Sequence, residues 1–250
     1  LIPLPKHDLL MLVPFNNLEK AGEAVSAIFR AGFTPSALEL VEINALQIVS
    51  KFVDSSIVPV TDEMAAHLII EVDGNHLETL MSEMESIAEL LMNYDCGEVF
   101  FADDAQQKEA LWKLRRRVAE AVKIDGYTIE EDTVVPRAEL PKLLQGVKDI
   151  GKKYGFQSVC YGHAGDGNLH VNIIKGEMDD RSWNERLPEG IREIFQLCKS
   201  LGGTISGEHG IGLVQKPYMS VVMTERHFEL FRGIKKTFDP NGILNPGKIF

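Results

Sequence analysis

Leu9-Leu10-Met11-Leu12-Val13-Pro14-Phe15-Asn16-Asn17-Leu18-Glu19 is the stretch on which the fold of this chain turns. Its first seven residues read as a buried strand, and Asn16-Asn17-Leu18-Glu19 reads as a capping box opening a helix through about Ala31. The pattern recurs: His67-Leu68-Ile69-Ile70-Glu71-Val72-Asp73 is again a strand and Asn75-His76-Leu77-Glu78 again caps a helix, to about Met92, with the two caps 59 residues apart. With strands near 37–41 and 98–102, the two units predict a ferredoxin-like layer, an antiparallel sheet with helices on one face. Downstream, a long helix (about 105–123), a strand ending at Pro136, a helix (138–153), a hairpin (156–163 and 168–174) and a helix (about 185–200) follow. A glycine-rich stretch (202–212) and a last helix (225–237) complete an α+β reading. Residues 1–200 are expected to form the ferredoxin-like domain, and 201–250 a mainly helical segment that completes a site on it.

The composition of the 250 residues, 44% hydrophobic and 25% charged, excludes a disordered or fibrous chain. A net charge of −11 provides no general basic surface, so nucleic acid is not expected as a partner. Three cysteines without CxxC spacing suggest neither a disulfide framework nor a zinc knuckle, and point to a reducing, cytoplasmic setting with membrane association left open. The Leu1-Ile2-Pro3-Leu4-Pro5 opening resembles a cut in a linker.

Eight of the 21 glycines fall within residues 162–167 and 202–212, and both segments carry histidines. In Gly162-His163-Ala164-Gly165-Asp166-Gly167-Asn168-Leu169-His170-Val171-Asn172, the Asp-Gly-Asn reversal sets His163 at one strand end and His170 at the start of its partner. Alternation puts His170 and Asn172 on one face, with Leu169, Val171 and Ile173 on the other. Two such imidazoles can share a metal or simply bond to backbone. In Ser206-Gly207-Glu208-His209-Gly210-Ile211-Gly212, flanking glycines expose Glu208 and His209, which suit an oxygen ligand and a base, or an ordinary surface turn. Two histidines plus one glutamate make the ligand set of an open catalytic metal site. On the long helix, Arg115 falls inside the apolar stripe of Leu111, Leu114, Val118 and Val122. A guanidinium there requires a carboxylate, from the protein or from a substrate.

At these residues the chain resembles the C-terminal part of the FAD-linked oxidases of the vanillyl-alcohol oxidase (PCMH) superfamily. That group contains glycolate oxidases, D-lactate dehydrogenases and D-2-hydroxyglutarate dehydrogenase. The resemblance rests on Leu111-Trp112 with Arg115, Asp132 with Val135-Pro136, and the two glycine segments. It extends to Phe238-Asp239-Pro240-Asn241-Gly242-Ile243-Leu244-Asn245-Pro246-Gly247-Lys248. It implies a flavoprotein oxidoreductase whose FAD-binding domain precedes this chain as its partner, so that the fragment alone is inactive. It implies His163, His170 and Glu208 as ligands of a divalent metal, zinc by donor type with iron and manganese open. It further implies His209 as the base, Arg115 as the clamp for the carboxylate of a small 2-hydroxy acid, and Asn172 beside substrate and flavin. Asn245 and Lys248 are expected to return toward the flavin. Hydride from the substrate would pass to flavin N5. The 2-hydroxyglutarate enzymes carry Thr four residues and Lys fifteen residues beyond the clamp Arg; here Ala119 and Glu130 stand there. An acid in place of that cation predicts a monocarboxylate such as lactate or glycolate. A self-sufficient metallohydrolase and a non-catalytic ferredoxin-like binding module are the alternative readings; the electron acceptor and homodimerisation are left open.

Overall fold

The computed structural model describes residues 3–52, 58, 60, 61, 63–102 and 104–249. Leu1 and Ile2 of the proline-rich opening lie outside them. The decisive stretch forms β1 (His7–Phe15), followed by α1 (Leu18–Arg30), β2 (Ala37–Glu42), α2 (Ile43–Val49), β3 (Ala66–Gly74), α3 (Leu77–Leu91) and β4 (Phe100–Ala102). β3 lies antiparallel between β1 and β2, and β4 pairs with the outer edge of β1, giving the order β4-β1-β3-β2 of a ferredoxin-like unit. α4 (Ala105–Asp125), β5 (Thr128–Val134), α5 (Leu140–Tyr154), β6 (Gln157–Gly162), β7 (Asn168–Ile174) and α6 (Leu187–Ser200) follow. β6 pairs with β2, so β6, β7 and β5 prolong the layer into one seven-stranded antiparallel sheet.

The α+β class stands, but the helices are not confined to one face. Met11, Val13 and Phe15 of β1 share a core with α1, α3, α5 and α6. Leu10 and Leu12, pointing the other way, pack with α2 and α4. A strand apolar on both sides needs two covering layers, because each fully buried Leu or Phe contributes about 1.5–3 kcal/mol only when water is excluded from it. The expected stripe of α4 is buried as Leu111, Leu114, Val118 and Val122, facing this second layer.

Both expected caps shift by one residue. Asn17, not Asn16, caps α1, its Oδ1 accepting from the N–H of Glu19 and Lys20. His76, not Asn75, occupies the cap of α3 and makes no side-chain capping bond. Past α6 come α7 (Met219–Val222) and α8 (Glu225–Phe238). Ile205, Tyr218, Met219 and Val221 of this segment are buried in the α1/α5/α6 core, and Thr204 bridges to Val134. No helix among the described residues is long and apolar enough to cross a membrane.

Candidate functional site

The site lies on the sheet face that α4 covers, toward the end where β6 turns into β7. Antiparallel register sets Tyr161 opposite His170, Val159 opposite Asn172, Asp132 opposite His170 and Glu130 opposite Asn172, so these side chains share one face. Leu169, Val171 and Ile173 enter the opposite core, as the alternation predicts. The reversal is a short turn over Ala164–Asp166, completed by Gly167 at φ +75°. A Cβ at Gly167 would lie 2.0 Å from the Val135 carbonyl oxygen, so only glycine suits this position. His163 stands just beyond β6, at the mouth of the turn.

A buried carboxylate from β5 holds the second glycine segment against this hairpin. Asp132 Oδ2 accepts the backbone N–H of Glu208 and of His209, both at 2.8 Å, and the Ser206 hydroxyl at 3.0 Å. Its Oδ1 accepts Asn168 Nδ2 at 2.7 Å. Burial works against ionisation of Asp132, but the His209 N–H, the Asn168 amide, the Glu208 N–H and the Ser206 hydroxyl outweigh it and hold the pKa below the usual aspartate value. Gly207 makes the approach feasible, since a Cβ there would fall 2.0 Å from Asn168 Nδ2.

The loop thereby brings Glu208 and His209 over the two hairpin histidines. Glu208 Oε1 lies 3.7 Å from His163 Nε2, 3.4 Å from His170 Nε2 and 3.5 Å from His209 Nε2. His209 stacks on His170 with ring centroids 4.9 Å apart and planes 13° from parallel. Its Nδ1 stands 3.4 Å from Glu130 Oε1. His170 is buried, which lowers its pKa, the nearby Glu130, Asp132 and Glu208 carboxylates working in the other direction. Its Nδ1 has no hydrogen-bond partner among the described residues.

Glu39, which the sequence reading did not single out, organises the rest. This buried β2 carboxylate places Oε1 at 2.6 Å from His163 Nδ1 and Oε2 at 2.8 Å from Arg115 Nε and 2.7 Å from Arg115 Nη2. A carboxylate at that distance requires the proton on Nδ1, which leaves the Nε2 lone pair of a neutral His163 facing Glu208. The hydrogen bond to Glu39 raises the His163 pKa. Arg115 also stands over the Tyr161 ring at 5.3 Å, so the carboxylate that this guanidinium demands is supplied by the protein. The available signal was Glu39 itself, a charge inside the apolar run Ala37-Leu38-Glu39-Leu40-Val41.

Tyr161 O–H reaches Glu130 Oε2 at 3.5 Å, and burial pushes its pKa up. Asn172 is fully buried, and its amide makes no well-aligned hydrogen bond among the described residues. Asn245, at φ +44°, and Lys248 lie in an exposed C-terminal turn rather than against the histidines. That turn is tied to the loop by Ile249 N–H donating to the Gly212 carbonyl at 3.1 Å, and by Lys216 Nζ donating to the Gly247 carbonyl at 2.8 Å.

The donor set suits a metal. His163, His170 and Glu208 each offer one ligand atom, and these atoms lie within 4.8 Å of one another. Tetrahedral ligands at about 2.0–2.1 Å from a zinc ion are about 3.4 Å apart, close to the observed separations of 3.4 and 3.7 Å. Glu130, His170 and His209 form a second such convergence around the same imidazole.

Known proteins resemble this chain along its whole length. It is 31% identical over 252 residues to a D-lactate dehydrogenase of Anaerostipes hadrus, covering 99% of this chain and 53% of that protein. Glycolate oxidase subunit GlcD of Bacillus subtilis is 33% identical over 251 residues, covering 100% of this chain and 52% of that one. A D-2-hydroxyglutarate dehydrogenase of Stutzerimonas stutzeri is 37% identical over a shorter 149 residues, 58% of this chain and 32% of that protein. The chain thus spans about half the length of the full-length curated relatives. Among solved structures, p-cresol methylhydroxylase shares the fold with a TM-score of 0.67 at 14% identity, over 99% of this chain and 53% of that one. The family model described as FAD linked oxidases, C-terminal domain, matches residues 4–249, and the chain belongs to that family.

Proposed function

We propose that this chain is the substrate- and metal-binding part of an FAD-dependent 2-hydroxyacid dehydrogenase or oxidase acting on a monocarboxylate such as D-lactate or glycolate. The observation that carries the reading is the convergence of His163 Nε2, His170 Nε2 and Glu208 Oε1 beside His209. The likeness to a D-lactate dehydrogenase and a glycolate oxidase supports it.

In this reading His163, His170 and Glu208 hold a divalent cation, with zinc favoured by the donors. When bound, the cation supplies a Lewis acid at the substrate 2-hydroxyl, and FAD supplies the hydride acceptor. His209 takes the hydroxyl proton at Nε2, the nitrogen facing Glu208, while Glu130 stands at Nδ1 to receive the N–H and stabilise the imidazolium. Arg115 receives the substrate carboxylate through the guanidinium N–H groups that Glu39 does not engage. Asn172 orients substrate and flavin with its buried amide, and the Asn245–Lys248 turn reaches toward the flavin. The segment 201–250 completes the site that residues 1–200 begin. The side chains Leu230, Ile234 and Phe238 of α8, with Ile243 and Leu244 beyond it, are apolar and exposed and offer the FAD domain a surface to dock on.

Glu130 decides the substrate class. Its carboxylate lies beside His209, His170 and Tyr161, where a second substrate carboxylate would meet like charge. The test is anaerobic flavin reduction in the protein carrying its FAD domain. D-lactate or glycolate is expected to reduce the flavin at least tenfold more efficiently than D-2-hydroxyglutarate, on the order of 1.4 kcal/mol. The reverse preference refutes the monocarboxylate reading.

A further inference from the structure

We infer that Glu39 is a positioning residue that couples the metal ligand His163 to the clamp Arg115. The inference rests on the reading above of those two residues. Glu39 is only 5% exposed and divides its two oxygens between them, Oε1 at 2.6 Å from His163 Nδ1 and Oε2 within 2.8 Å of Arg115 Nε and Nη2. One negative charge therefore serves two positions that want opposite things of it. At His163 it raises the basicity of Nε2 and favours a cation. At Arg115 it neutralises the guanidinium and disfavours a second carboxylate.

The two demands are linked through one carboxylate. A cation on Nε2 acidifies the Nδ1–H, which strengthens its hydrogen bond to Oε1 and draws Glu39 charge away from Oε2. Arg115 is then held less firmly and receives an external carboxylate more readily. Metal occupancy and carboxylate affinity thus reinforce each other, and linkage requires the factor to be the same in both directions. In the metal-free protein Glu39 guards Arg115 against adventitious anions.

Opposite signs distinguish this from a scaffold role. In the protein with its FAD domain, zinc affinity is measured by competition with a chromogenic chelator. Binding of propionate, which lacks a 2-hydroxyl, is read from the flavin spectrum of the metal-free protein. Glu39→Gln is expected to weaken zinc about ten- to hundredfold while tightening propionate about threefold or more, because the competing charge has gone. Zinc affinity within about twofold of the parent, or weakening of both ligands, overturns the inference.

Should Glu39→Gln fail to fold because Arg115 is left buried and uncompensated, a Glu39→Gln/Arg115→Met variant removes the pair together. Its zinc affinity must still fall about tenfold, and an unchanged value overturns the coupling. A parent protein that binds no zinc overturns the metal reading and this inference with it. If His163→Ala abolishes zinc binding while Glu39→Gln leaves it unchanged, only the role of Glu39 is lost.

Discussion

Asp132 Oδ2 accepts the backbone N–H of Glu208 at 2.8 Å, and this contact ties the exposed glycine-rich loop to strand β5. The same oxygen takes the His209 N–H and the Ser206 hydroxyl, so three donors converge on one oxygen of a buried carboxylate. Replacing Asp132 with Asn leaves one acceptor and turns an NH2 toward donors. The expected costs are about 2–4 kcal/mol of stability and a loss of about tenfold or more in zinc affinity. Because the native pKa of Asp132 is depressed, its stabilisation is present above the ordinary aspartate range and is lost as pH falls through the lower native value. Denaturant titration should therefore show the gap between parent and Asp132→Asn near neutrality and its narrowing below about pH 4.

Glu130 holds a second testable relationship, with His209 Nδ1 3.4 Å from its Oε1. Glu130→Lys exchanges a like charge for a complementary one at the place where a distal substrate carboxylate would arrive. Overall turnover should fall, because His209 loses its carboxylate neighbour. The ratio of kcat/KM for D-2-hydroxyglutarate over D-lactate should nevertheless rise by about tenfold or more. A ratio unchanged by the substitution would remove Glu130 from the determination of specificity.

On the other side of β5, Glu131 is fully buried, with its Oε2 3.3 Å from Gln215 Nε2. Burial pushes its pKa up to about 8, the Gln215 amide opposing the shift and the Glu130 and Asp132 charges adding to it. The native state thus keeps a proton that the unfolded chain releases near pH 4.5. The protonated acid's contribution is complete below that value and is lost as pH rises toward and through 8. Glu131→Gln, neutral at every pH, should flatten this decline and make the variant the more stable form above pH 8, by on the order of a few kcal/mol. Chemical denaturation at pH 6 and pH 9 measures the difference, and an identical pH slope in both proteins would contradict it.

Much of the fold was legible because its elements are local. The run at Leu9–Phe15, the asparagine-rich helix entry and the Asp-Gly-Asn reversal each carry their conformation in neighbouring residues. The one-residue displacement of the α1 cap reflects the usual softness of helix ends, since Asn16 and Asn17 offer the same chemistry, whereas at α3 the asparagine falls one residue before the cap and His76 makes no side-chain bond. What a linear reading does not contain is the partner across the sheet. Arg115 was recognisable as a buried cation needing a carboxylate, but only the adjacency of β2 and β6 brings Glu39 between it and His163. The second helical layer, α2 with α4, was likewise hidden. Alternation along β1 shows that both faces are apolar, without saying which helix covers each.

The role proposed for the His163–His170–Glu208 constellation is flavin-linked oxidation of a 2-hydroxy acid. Its most direct test is anaerobic stopped-flow reduction of the flavin by D-lactate and by glycolate, in a protein that includes the proposed FAD domain, before and after chelator treatment. The expected result is rapid bleaching of the flavin band by at least one of the two acids, slowed by about a hundredfold or more after chelation and restored by zinc, iron or manganese. Bleaching at an unchanged rate in the chelated protein, or none with either acid, would rule that role out.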